Sequence, residues 1–173
     1  RHQADSLIKL NWNLLLPANQ YSQSLVDANQ YEKSFKGEKA PVFPHKMDSL
    51  TGKNKYSAFK AMPAGKTITF NLAKACMEGE QLGAGKSTDF LCISLSSTDY
   101  AGHQFGPNSI EIEDMYLRLD KEIGDYLNFL DKYVGRGKYL FFLTADHGAA
   151  HNPQFLTDED LPAGVMNKAI TEG

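Results

Sequence analysis

Two short apolar runs with one long amphipathic stretch between them limit this chain more than any other feature. Residues 89–96 (Asp-Phe-Leu-Cys-Ile-Ser-Leu-Ser) and 138–144 (Lys-Tyr-Leu-Phe-Phe-Leu-Thr) are too short for core helices. They are nearly continuous in apolar residues, the pattern of strands buried on both faces. Between them Ile112, Met115, Leu119, Ile123, Tyr126, Leu127, Leu130, Tyr133 and Val134 recur every three or four residues and mark one helical face. Asn108 and Glu111 have the spacing of a capping box, and Glu111, Glu113 and Asp114 put negative charge where the helix dipole favours it. Gly135 and Gly137 stop the helix. Gly124 inside it costs about 1 kcal/mol relative to Ala and predicts a close contact there. Strand, long helix, strand predicts a βαβ unit in a parallel sheet, and so an α/β fold.

Upstream the text is less regular. Phe70, Leu72, Ala73, Ala75, Cys76 and Met77 predict a helix that closes near Gly79 or Gly83. Leu7, Leu10 and Leu14 predict another over residues 2–16, ended by Pro17. Residues 17–66 are rich in Asn, Gln, Ser, Lys, Gly and Pro and read as an irregular or cap-like excursion, with Ala40-Pro41-Val42-Phe43-Pro44-His45 extended. The chain thus divides into a leading helix (1–16), the excursion (17–66) and an α/β core segment (67–173).

Charge divides along the same line. Residues 1–66 hold ten Lys/Arg against five Asp/Glu, a net +5, and the remainder carries −8. The overall −3 excludes a strongly basic binder of nucleic acid polymers. The basic part is either a solvated surface or a positive rim that draws anionic substrates toward a site held elsewhere. No apolar run approaches the roughly 18–20 residues that cross a bilayer. Cys76 and Cys92 are too few for a disulfide framework, and their apolar flanks predict buried free thiols. Beginning at Arg1 without a signal-like stretch, the chain reads as a processed or excised piece.

Gly83-Ala84-Gly85-Lys86-Ser87 and Gly65-Lys66-Thr67 suggest phosphate-binding loops, but Glu80 and Lys60 stand where the first glycine of that motif is required. A phosphate-binding loop also leaves a strand and opens a helix. The first of these segments does the reverse, so a helix-stop turn is the better account.

Chemistry concentrates at the ends of the two expected strands. Asp99 and His103 follow the first, and Asp146 and His147 follow the second. Ligands of open α/β sheets bind beyond the carboxyl ends of the strands, so both pairs are expected to converge at one edge. Two carboxylates and two imidazoles without thiolate form a catalytic zinc-type ligand set. Taken singly, each pair is better read as a turn cap (Asp99) or a loop-end hydrogen bond (Asp146-His147); it is the two pairs at equivalent strand ends that favour a metal. Among the other histidines, His45 is expected to make a structural hydrogen bond and His2 to lie at the terminal surface. His151, though close to His147, falls in a loop that explains it without a metal.

The runs Ser96-Ser97-Thr98-Asp99-Tyr100-Ala101-Gly102-His103, Phe105-Gly106-Pro107-Asn108-Ser109 and Leu143-Thr144-Ala145-Asp146-His147-Gly148 resemble the alkaline phosphatase superfamily. More narrowly they resemble the type I phosphodiesterase/nucleotide pyrophosphatase family and its single-chain bacterial alkaline phosphatase branch. The likeness extends through Tyr116-Leu117-Arg118-Leu119-Asp120, Phe43-Pro44-His45-Lys46 and Asn11-Trp12-Asn13-Leu14-Leu15. It implies a three-layer α/β/α sandwich with a parallel-rich sheet, of which this chain is a partial domain. It implies two zinc ions in the intact enzyme, one on Asp99 and His103 and the other on Asp146 and His147. A third ligand for each zinc and a Ser/Thr nucleophile that forms a phospho-enzyme would lie outside this chain. The expected substrates are small phosphate esters, with monoesterase preferred over phosphodiesterase or nucleotide pyrophosphatase. The expected compartment is periplasmic or secreted. Since four ligands are recognised where six are required, the segment alone is expected to be inactive, holding one ion or none. The oligomeric state is left open.

Overall fold

A computed structural model of the chain describes residues 2–50 and 52–165, with side chains from residue 5 onward. The side chain of His2 therefore lies outside the described residues. The long helix forms where its periodicity predicts: α5 spans Ile110–Leu130 and buries Ile112, Met115, Leu119, Tyr126 and Leu130. Its cap is Ser109 rather than Asn108, because the Ser109 hydroxyl accepts the Ile112 N–H at 3.2 Å. A π-turn over Asp131–Gly135 carries the last turn to Gly135, whose φ of 109° ends it. Nothing lies within 4 Å of a side chain built at Gly124, so the expected close contact is absent there.

The close contact is at Gly65 instead. α3 (Pro63–Gly79) begins with Pro at its first turn and crosses α4 (Ser96–Phe105) near Gly65. A β-carbon at Gly65 would meet the Phe59 carbonyl oxygen at 2.8 Å and the Ser97 hydroxyl closer still. Beyond α3, Gly83 turns with φ 81°, which agrees with the helix-stop reading of the glycine-rich segment.

Two apolar clusters lie along α5. One gathers Ile8, Trp12, Phe35, Met47, Leu50, Ala58, Ala61, Met62, Ala101, Phe105, Ile112 and Met115. Much of residues 17–66 is therefore packed into the core. Its regular structure includes α2 (Gly52–Lys60) and short 3-10 turns at Ala18–Gln20 and Met47–Ser49. The other cluster joins Phe70, Ala73 and Met77 of α3 to Leu119, Tyr126 and Leu130 of α5.

Two expectations fail here, and the expected strands stay unpaired among the described residues. The leading helix α1 covers only His2–Leu7, because the chain then extends so that Trp12 pairs with His45 in an isolated antiparallel bridge. Trp12 is 2% exposed, and its burial outweighs the helical spacing of Leu10 and Leu14. Cys76 is half-buried and Cys92 is exposed; both are free. Finally, residues 89–95 and 139–145 form no strand ladder among the described residues. Leu91, Ile93 and Leu95 alternate onto the α3–α5 cluster while Cys92 and Ser94 face outward, so one face is covered and not two. A strand needs a partner for its N–H and C=O groups, and among the described residues neither segment makes such backbone hydrogen bonds.

Candidate metal centre

α4 starts where the first extended segment ends, which puts Asp99 in its first turn and His103 in its last. Four residues apart, the two share a face, with His103 Nε2 3.4 Å from Asp99 Oδ1. The second extended segment leads into Asp146-His147-Gly148 and returns His147 to the same carboxylate, its Nε2 3.5 Å from Asp99 Oδ1. The two imidazole rings are 6.2 Å apart. Ligand atoms of Asp99, His103 and His147 all lie within 4.8 Å of one another. Asp146 stands at the edge of this set, its carboxylate 3.7 Å from His147 Nε2 and 87% exposed. Asp99, His103 and His147 are thus brought together, with Asp99 shared between both histidines, while Asp146 stays outside that group and approaches only His147.

The donor chemistry fits a divalent cation. His147 Nδ1 and the Gly148 carbonyl are 2.9 Å apart, so the N–H sits on Nδ1 and the lone pair of Nε2 faces the carboxylates. The Gly148 carbonyl, and after it the Asp146 charge, raises the His147 pKa above the ordinary imidazole value. Surroundings that attract a proton to this nitrogen attract a cation for the same reason.

Other histidines have different work. His45 is 1% exposed and sits between Glu38 (2.9 Å) and Glu111 (3.2 Å), the structural role expected of it. His151 stacks on Phe155, with ring centroids 5.5 Å apart.

What sequence reasoning missed are the buried polar partners that fix the scaffold. Asp114, fully buried, accepts from Trp12 Nε1 at 2.6 Å, the Leu15 N–H at 2.7 Å and Arg118 Nε at 2.6 Å. Lys66, also fully buried, donates to the Met115 carbonyl at 2.6 Å and tethers α3 to α5. Their signal in the sequence is a charged residue on or beside the apolar stripe, which for Glu111 and Asp114 the capping box and the helix dipole already account for.

The sequence matches the profile described as type I phosphodiesterase / nucleotide pyrophosphatase over residues 8–167. The chain belongs to that family. This phosphodiesterase-family chain is 54% identical over 156 residues to alkaline phosphatase PhoV of Synechococcus elongatus, covering 90% of this chain and 28% of PhoV. It is 51% identical over 169 residues to a Myroides odoratus protein named calcium-transporting ATPase, covering 96% and 31%. The crystal structure of wild-type alkaline phosphatase PafA matches with a TM-score of 0.89 and 44% identity, over 95% of this chain and 32% of that one. The chain thus spans about 30% of the length of the relatives it matches. Its fold is that of one part of an alkaline phosphatase.

Proposed function

We propose that the chain is the metal-ligand portion of a metal-dependent phosphate monoester hydrolase, with phosphodiesterase or nucleotide pyrophosphatase as the alternative within the family. The observation that carries this reading is the convergence of His103 and His147 on Asp99. Asp99 and His103 would hold one zinc, and Asp146 and His147 a second. Bound there, zinc supplies Lewis-acid stabilisation of phosphoryl oxygens. The residues' own part is to present oxygen and nitrogen donors from a helix and a loop anchored in the core, with the His147 tautomer held by Gly148. The nucleophile is assigned to a segment outside this chain, so isolated chain should show no appreciable turnover.

Residues 89–95 and 139–145 are then neighbouring strands of a three-layer sandwich, paired in the longer protein. A periplasmic or secreted location goes with the alkaline phosphatase relatives. Among the described residues no helix is long and apolar enough to cross a membrane.

The test is p-nitrophenyl phosphate hydrolysis by the longer protein carrying Asp99→Ala or His147→Ala. Each variant should lose roughly three orders of magnitude in rate and bind zinc more weakly. Both side chains are exposed, so the unfolding midpoint should hardly move. Near-normal rates in either variant would remove that residue from the centre.

A further inference from the structure

On the neighbouring face of α4, Tyr100 and Gln104 line a second feature, a cleft of about 370 Å³ between α2, α4 and the segment around residue 35. This volume lies within the range of small-molecule sites. Lys33, Lys36 and Lys60 reach it together with the neutral donors Asn54 and Ser57, and among the described residues no carboxylate lines it. None of the three lysines is ion-paired among the described residues. Same-sign charge in a concavity concentrates the field, and lysine ammonium groups are point-charge partners for phosphate oxygens.

The rim is fixed in place. Gln104 donates to the carbonyls of Lys33 and Ser34, the latter at 2.9 Å, while the Lys33 N–H returns to the Gln104 carbonyl at 3.3 Å. Phe35, 5% exposed, pins the same segment into the core. The Lys60 ammonium lies 5.8 Å from the centre of the Tyr100 ring, so the aromatic face positions that cation beside the cleft. The Lys60 ammonium thus has a partner ring and the backbone that carries Lys33 is held before any ligand arrives, which lowers part of the ordering cost of binding.

We propose that this cleft binds short oligophosphate anions, with pyrophosphate the smallest. A multiply charged chain of phosphates matches three unneutralised ammonium groups better than a single phosphate does.

The binding is tested without metal. The full chain is treated with chelator, and tripolyphosphate and inorganic phosphate are titrated calorimetrically near neutral pH. Tripolyphosphate should bind saturably, inorganic phosphate at least about tenfold more weakly, and raising salt from roughly 20 to roughly 200 mM should weaken the binding. The triple variant Lys33→Gln/Lys36→Gln/Lys60→Gln should lose about tenfold or more in affinity, whereas Asp99→Asn/His147→Gln should bind within about twofold of the original. Should the triple variant lose its circular dichroism signal, Lys36→Gln and Lys60→Gln are read singly, each expected to weaken binding about threefold. Absence of saturable binding, or lysine variants that bind like the original, overturns the proposal. So does loss of metal-free binding in Asp99→Asn/His147→Gln alone, which would move the anion to the metal centre. None of these outcomes depends on catalysis, so failure of the cleft and failure of the hydrolase reading are separable.

Discussion

His45 shows how a single side chain can tie an irregular segment to a helix. Burial works against its charge, but hydrogen bonds to Glu111 and Glu38 prevail and raise its pKa to about 9. A group whose folded pKa exceeds its unfolded value stabilises fully below the latter, and that contribution fades as pH climbs through the former. His45 should therefore support the fold fully below about pH 6.5 and stop doing so near pH 9. Glu32 acts in the same direction: burial, then the Glu111 charge, raises it to about 8, so its proton is also lost on the alkaline side. Lys66 opposes them. Burial lowers it to about 8, so folding is favoured progressively as pH rises from there toward the free value of 10.5. Urea midpoints of His45→Gln measured at pH 6 and pH 9 should show a smaller alkaline loss than the original chain, although His45→Gln is less stable at pH 6. Lys66→Met should show a larger alkaline loss, since the opposing contribution is gone. An unchanged pH dependence in His45→Gln would mean that its two carboxylates do not hold the proton. The structural role of His45 is legible in the sequence but its carboxylate partners are not, because a helix-dipole charge and a buried ion-pair partner look alike until the facing loop is placed.

Among the elements, those written by periodicity alone are legible in the sequence and those decided by distant partners are not. α3 and α5 carry their own apolar stripes, so their positions follow from spacing that no tertiary contact contradicts. The helix expected over residues 2–16 had a comparable stripe, yet Trp12 gains more by inserting between Phe43, His45 and Phe105, with Asp114 accepting its N–H. The candidate ligand residues are legible as candidates because their place after the two apolar runs is a local feature of the sequence. The shared position of Asp99 is not, since it depends on how the loop after residue 145 returns to α4. The contact at Gly65 also escaped, because a glycine near a helix start gives no sign of what crosses it. Two substitutions test this level. Ser109→Ala removes the cap of α5 and should cost about 1 kcal/mol. Gly65→Ala should cost more, about 1–3 kcal/mol, because the Phe59 carbonyl is backbone and cannot swing aside as a side-chain end can. Thermal melts of the two variants should rank them in that order; a Gly65→Ala chain as stable as the original would show that α3 and α4 are free to separate.

At the scale of the whole molecule, burial is lopsided. Helices pack on helices, while Leu140, Phe142 and Leu143 are 88%, 66% and 63% exposed and Phe90 is 76% exposed. These residues sit on the two segments whose composition is that of interior strands. No backbone N–H of residues 89–95 or 139–145 has a backbone acceptor among the described residues. An apolar run with open N–H and C=O groups can be satisfied by pairing with further strands, which is the arrangement proposed for the longer protein. Hydrogen exchange separates that arrangement from a loop that is simply apolar. In the isolated chain the amides of residues 139–145 should exchange as fast as those of a loop, whereas amides in the middle of α5 are protected by helical hydrogen bonds. In the longer protein the same seven amides should slow by roughly three orders of magnitude or more, as ladder hydrogen bonds make their opening part of a cooperative unit. Exchange of 139–145 that stays fast in the longer protein would leave its apolar side chains unexplained and remove the sheet from the proposal. It would not disturb the distances among Asp99, His103 and His147, which depend on α4 and the returning loop. The sheet and the metal centre can therefore fail separately, and only the first bears on how much of the parent fold this chain contributes.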